Sequence, residues 1–235
     1  MPVKKIMVLC IPALLFLSFT AIMIRQGRGA QSLAVSAPVT SVGPTLIIDA
    51  GHGGADGGAV SVNGRTESGI NLDIALKTRE LCRLFGFTPV MTRDTETLDY
   101  PQEMDTLHKK KVWDQKTRVA LINDIPNALL LSIHQNNYPD ARPSGSQVLY
   151  GAADGSMELA KLTHDNLSCC LCPENRRVAA PVSKNVYLFQ QIQCPAILVE
   201  CGFLSNPGEL EKLTSPAYQR EIAVILLASC LQYIG

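Results

Sequence analysis

Three apolar runs, each stopping at a residue able to bind a metal or move a proton, constrain this chain most. Leu46-Ile47-Ile48 leads through Asp49-Ala50-Gly51 to His52, Leu129-Leu130-Leu131-Ser132-Ile133 leads to His134, and Ala196-Ile197-Leu198-Val199 leads to Glu200. Runs this short and this apolar are what fully buried strands use. Helix-like stretches separate them, so the pattern predicts a three-layer α/β domain. In the sheets of such domains sites form where the strands end, at their carboxyl edge. Taken singly, either histidine is as well explained as an ordinary core or surface residue. Two histidines and a glutamate delivered to one edge are the beginning of a zinc hydrolase site.

The 235 residues suffice for one domain of ordinary size with an appendage, and 46% hydrophobic against 18% charged residues suits a packed core. The 21 Lys and Arg balance the 21 Asp and Glu. Four of those cations, Lys4, Lys5, Arg25 and Arg28, precede residue 44 and no acid does, leaving the remainder mildly acidic. Beyond Lys109-Lys110-Lys111 there is no basic cluster, which argues against a nucleic-acid partner.

Lys4-Lys5 followed by the uncharged run Ile6–Ile24 has the pattern of an export signal, and the run is long enough to span a bilayer. Residues 1–24 are therefore expected to be a signal-anchor first and a cleaved signal peptide second, with the rest of the chain outside the cytoplasmic membrane. Residues 25–43 read as a linker, and 44–235 as one catalytic domain with no internal repeat.

Within that domain the glycines of 55–65 predict a loop over the site. Periodicity predicts a helix over 68–85 that Gly86 ends, and a strand follows at 87–92, where Pro89 marks a sheet edge or a strand start. The polar stretch 93–113 reads as a loop with a solvated His108, followed by a helix over 114–124 and a strand over 128–133. Further strands are expected at 147–150, 186–189 and 196–200, and helices at 156–171, 207–213 and 216–233. Of the eight cysteines, Cys82, Cys201 and Cys230 lie in apolar surroundings and read as small buried hydrophobes. Cys169, Cys170 and Cys172 near His164 fit no standard zinc module; a disulfide involving this group is the better reading.

A hydrolytic zinc site takes three protein ligands, keeps one position for water, and needs a nearby carboxylate that does not ligate. Spacing nominates His52, His134, Glu67 and Glu200, and leaves open which glutamate ligates. Glu67 alone would read as a first-turn acid complementing a helix dipole.

In order along the chain come Asp49-Ala50-Gly51-His52-Gly53-Gly54, Glu67 with Asn71 and Ile74-Ala75, Ser132-Ile133-His134-Gln135-Asn136, and Val199-Glu200-Cys201-Gly202-Phe203-Leu204-Ser205-Asn206. Together they resemble the zinc-dependent N-acetylmuramoyl-L-alanine amidases of the amidase-3 type over residues 44–235. Met91-Thr92-Arg93 and Arg118 with Asn123 also resemble that family's usual positions. The resemblance implies a twisted, mostly parallel sheet between helices, and Zn2+ held by His52, Glu67 and His134, with Glu200 as general base and acid. It implies peptidoglycan as substrate, cut between the lactyl group of N-acetylmuramic acid and L-alanine of the stem peptide. A compact amidase behind a signal resembles the spore-former enzymes that prepare cortex muramic-δ-lactam, and the absence of a targeting domain suggests an activating or localising protein partner. The competing readings are another zinc peptidase or amidohydrolase, and a wall-binding protein without turnover. A Cys201 nucleophile is a weaker idea, since no histidine is predicted to serve it.

Overall fold

The computed structural model describes residues 43–235. The expected signal-anchor of residues 1–24 and nearly all of the 25–43 linker lie outside the described residues. None of the described helices is long and apolar enough to cross a membrane.

The first strand, β1 (Thr45–Ala50), leads through the glycine-rich loop into α1 (Glu67–Leu84). A two-residue strand β2 (Val90–Met91), helix α2 (Leu107–Asn123) and the long strand β3 (Ala128–Asn136) follow. Then come β4 (Gln147–Tyr150), α3 (Ser156–Leu171), β5 (Ala180–Pro181), α4 (Tyr187–Gln191), β6 (Ala196–Phe203), α5 (Pro207–Leu213) and α6 (Pro216–Ile234). The six strands form one sheet in the order β2-β1-β3-β6-β4-β5. β1 pairs parallel with β2 and β3, and β3 with β6, whereas β4 runs antiparallel to β6. The sheet is thus mostly parallel, as the family resemblance implies.

Alternation along the central strands divides them between two cores. Ile48, Ala50, Leu129, Leu131, Ile133, Ile197 and Val199 face Ile70 and Ile74 of α1, Leu159 of α3, and Ile222 and Leu226 of α6. Ile47, Leu130, Ala196 and Leu198 face Ile122 of α2 and Leu188 and Phe189 of α4. α6 buries eight of its 19 residues, Ile222, Ile225, Leu226 and Leu227 among them, and leaves Val224 exposed.

Four boundaries differ from expectation, each for a physical reason. α2 begins at Leu107, within the stretch read as a loop, because Thr106 caps it by accepting from the Lys109 amide at 3.2 Å. It buries only Arg118 and Ile122, so it carries no apolar stripe to read. β3 and β6 run on past His134 and Glu200; polar residues end the apolar pattern there, but not the backbone pairing. The overrun contains a register shift between His134 and Asn136. The strand expected at 186–189 is instead α4, a short apolar run whose period cannot separate helix from strand. β2 is shorter than expected but does occupy the sheet edge. His108 is exposed, and Cys82, Cys201 and Cys230 are buried. The seven described cysteines are all free thiols, so no disulfide joins Cys169, Cys170, Cys172 or Cys194.

Candidate metal centre

The site sits where β1, β3 and β6 approach their carboxyl ends. His52 lies two residues past β1 in the left-handed region, with φ 60°, a conformation that side chains other than glycine seldom adopt. The backbone is held there by three side chains. Arg93 donates to the carbonyls of Ala50 (2.9 Å) and Gly51 (3.0 Å), Arg118 to those of Ala50 (2.8 Å) and His52 (2.6 Å), and Asn71 to that of Gly51 (3.1 Å). Arg118 is positioned in turn by buried Asp49, which also accepts from Ser132 (2.6 Å) and Thr92 (2.7 Å). Burial alone would push the Asp49 carboxyl up, but Arg118 and these hydroxyls hold it at about 2.

Glu67 is the first residue of α1, and its carboxylate lies between the two histidines. His134 Nδ1 is 2.9 Å from Oε1, and His52 Nε2 is 3.3 Å from Oε2. The backbone amides of Gln135 (3.2 Å) and Ala59 (3.0 Å) donate to the two oxygens. Burial opposes charge on Glu67, yet the hydrogen bonds from His134 and His52 keep it well below the usual carboxylate range. His52 Nδ1 meets Asp56 Oδ2 at 2.9 Å, and Lys111 meets the other Asp56 oxygen at 2.9 Å. Burial would lower His52, but Asp56 and Glu67 raise it to about 9.

Among the described residues, His52, Glu67 and His134 offer ligand atoms that all lie within 4.8 Å of one another. Ligand atoms around a tetrahedral zinc stand about 3.3 Å apart, which the His52–Glu67 and His134–Glu67 contacts approach. Asp56 on His52 Nδ1 is the carboxylate–histidine arrangement that leaves Nε2 for a metal. The Nε2 edge of His134 packs over Gly51, where a Cβ would come within 2.2 Å, so Nδ1 is the nitrogen it turns toward Glu67 and the donor cluster. A Cβ on Gly58 would meet Glu67 Oε2 at 2.6 Å and His52 at 2.8 Å, so the loop closes over the site only as glycine. The donor set, its spacing and its glycine walls fit zinc.

Glu200 is the registered neighbour of His134 on the adjacent strand. Its Oε2 is buried with no hydrogen-bond partner. Burial, against the pull of His134 and with the push of Glu67, raises its carboxyl to about 7. All four nominated residues are therefore brought together, and their surroundings separate the two glutamates: Glu67 is fully bonded and ionised, Glu200 unbonded and poised. Cys201 points away from Glu200 by strand alternation, and burial raises its thiol far above the usual range, which disposes of it as a nucleophile. The roles of Asp49 and Asp56 and the arginine–carbonyl contacts carry no signal in the sequence: Asp56 stands in a loop marked only by its glycines, and Asp49 is one letter of the histidine's motif.

Residues 46–229 match the family model described as N-acetylmuramoyl-L-alanine amidase. The chain belongs to this amidase family. A germination-specific N-acetylmuramoyl-L-alanine amidase of Bacillus subtilis is 35% identical over 192 residues, 81% of this chain and 80% of that protein. The CwlD amidase of Clostridioides difficile, in a structure with the GerS lipoprotein, superposes with a TM-score of 0.76 at 34% identity, covering 81% of this chain and 98% of the other. An N-acetylmuramoyl-L-alanine amidase of Clostridium difficile 630 gives 0.70 at 29% identity, covering 81% and 96%. As a member of the family the chain is a peptidoglycan amidase with an α/β fold.

Proposed function

We propose that His52, Glu67 and His134 hold a zinc ion and that Glu200 carries the protons in hydrolysis of the amide between the lactyl group of N-acetylmuramic acid and L-alanine. The buried, unbonded Glu200 carboxylate beside a His–Glu–His donor set carries this reading. Zinc, when bound, supplies a Lewis acid for the carbonyl and lowers the pKa of water. Glu67 stays ionised between the two imidazoles, and Asp56 and Gly51 fix which nitrogen each presents. Glu200, raised to about 7, takes a proton from the attacking water. As the C–N bond breaks it gives that proton to the departing amine of L-alanine, and the lactyl carboxylic acid formed loses the water's other proton to solvent.

Likeness to a germination-specific amidase supports a role in spore-cortex maturation. The neighbour solved with a lipoprotein supports a protein partner that localises or activates this enzyme. Peptidoglycan lies outside the cytoplasm, which agrees with the export signal read at residues 1–24 and with attachment to the outer face of the membrane.

Digestion of purified peptidoglycan with and without added zinc tests the reaction. Free stem peptides beginning at L-alanine, with intact glycan chains, are expected only when zinc is present. Shortened peptides would make the chain a peptidase instead, and zinc-independent release would remove the metal from the reading. Glu200→Gln is expected to lower turnover by about 10²–10⁴-fold while metal analysis still finds one zinc per chain; undiminished turnover would exclude Glu200. Deleting the gene is expected to remove δ-lactam from spore cortex, and unchanged δ-lactam would refute the cortex role.

A further inference from the structure

The catalytic groups leave the far end of β6 without a task, and a guanidinium waits there. Beyond Glu200 the strand runs on to Phe203, and Arg177, from the segment between α3 and β5, lies over the Phe203 ring at 4.9 Å. Arg177 Nη1 donates to the Ser144 carbonyl and, at 3.4 Å, to Asn175 Oδ1. Its Nε and Nη2 make no hydrogen bond among the described residues, and no carboxylate there pairs with it. A half-buried guanidinium without an anion is costly to keep. The uncommitted Nε–Nη2 edge is the planar fork that binds a carboxylate through two parallel hydrogen bonds.

A cavity of about 370 Å³ opens beside it, lined by Ser144, Cys172, Glu174, Asn175, Arg176 and Arg177. Its walls are tied to the catalytic strands. Asn175 Nδ2 donates to the Ser146 carbonyl at 2.7 Å, and the Gly145 amide donates to Glu209, whose other oxygen accepts from Phe203 on β6. Gly145 has φ 84°, and a Cβ there would come within 3.1 Å of Asn175, so the loop reaches the cavity wall only as glycine. Gln147 pairs with Glu200 across the antiparallel β4–β6 ladder, so residues 144–146 extend beyond Glu200 toward Phe203. Glu200 lies opposite His134 and Phe203 opposite Asn136, so the register shift in β6 places Phe203 about two strand rises, roughly 7 Å, beyond Glu200, which two residues of extended peptide span.

We propose that Arg177, with Arg176 at the rim, binds the α-carboxylate of the γ-linked acidic residue that follows L-alanine in the stem peptide. This rests on the amidase reading above and adds a direction to it. The peptide leaves over the β6–β4 end of the sheet, and the enzyme distinguishes a free α-carboxylate from its carboxamide at that residue. Arg177 is then a specificity residue and takes no part in the proton transfers.

Two muropeptides that differ only in α-carboxylate against α-carboxamide at the second stem residue test this, using the whole chain with zinc. The wild type is expected to favour the carboxylate by about tenfold, chiefly through KM. Arg177→Met keeps the apolar contact with Phe203 and is expected to bring the two substrates to equal kcat/KM, and Arg177→Lys to restore part of the preference. No preference in the wild type, or an equal fall on both substrates in Arg177→Met, would overturn the proposal. Calorimetry with the free L-alanyl-γ-glutamyl peptide and its amide separates this proposal from the amidase reading. If neither muropeptide is cleaved, that failure belongs to the reaction, and tighter wild-type binding of the carboxylate, lost in Arg177→Met, still upholds the subsite. Equal affinities overturn it.

Discussion

Asp49 carries more of the site's geometry than either histidine. Its carboxylate holds Arg118, and Arg118 holds the carbonyls of Ala50 and His52 that set the left-handed turn. Arg118→Met would leave Asp49 buried without its cation, a loss of about 3–5 kcal/mol readable by urea unfolding. The same pair sets an acid limit. The Asp49 pKa falls on folding from 3.8 to about 2, so its contribution is complete above pH 4 and is lost as the pH falls through 2. The amount is about 2 kcal/mol. Unfolding of wild type and Asp49→Asn compared at pH 7, 4 and 2.5 is expected to show the gap between them narrowing with acid; a constant gap would mean the pair contributes nothing through its charge.

At the scale of elements, the start of α1 is where stability and site geometry meet. Thr66 caps the helix through the Gly69 amide at 3.3 Å, and the next residue is Glu67. The loop before it is pinned by hydrogen bonds from Glu67 N to Ala59 O and from Ser68 N to Gly57 O. Thr66→Ala is expected to cost about 1 kcal/mol of stability and to weaken zinc binding as well, with Thr66→Ser restoring both. Equilibrium dialysis against a zinc buffer checks the second effect, and unaltered affinity would separate the cap from the site. α2 is the contrasting element. With only Arg118 and Ile122 buried, its first turns are held near the surface, by the Thr106 cap, the Lys109–Asp105 and Lys111–Asp56 ion pairs, and the contacts of Lys110 and Trp113 with Tyr100. Amide exchange is expected to be faster over residues 107–113 than over 118–123.

For the whole molecule, the three zinc candidates come from the loop after β1, the start of α1 and the body of β3, and β1 and α1 both pack against β3. A metal binding all three therefore favours the native arrangement of the central domain. At a free zinc concentration one hundred times the dissociation constant, the gain is about 2.7 kcal/mol, or roughly 5–10 °C in Tm. Thermal melts of the chelated protein and of Glu67→Gln with and without zinc check this: the wild type should shift and Glu67→Gln should not.

The central strands, the major helices and the nomination of His52, Glu67, His134 and Glu200 are legible in the chain's letters. Those features are written locally, in apolar runs of strand length, in helical periods bounded by glycine and proline, and in ordered motifs that carry the family resemblance. Other features arise only when the chain is folded. The antiparallel placement of β4, the start of α2 and the continuation of β3 and β6 past their apolar residues depend on backbone pairing and capping, which leave no hydrophobic period. The difference between the two glutamates belongs to the same class. Both are acids next to apolar segments, and what distinguishes them is a carboxylate fixed by His52 and His134 in one case and one buried without a partner in the other. Glu67 and His134 stand 67 residues apart in the chain. Such a contact exists only once strand order and register have brought distant segments together, and with it come the ionisation states on which the chemistry depends.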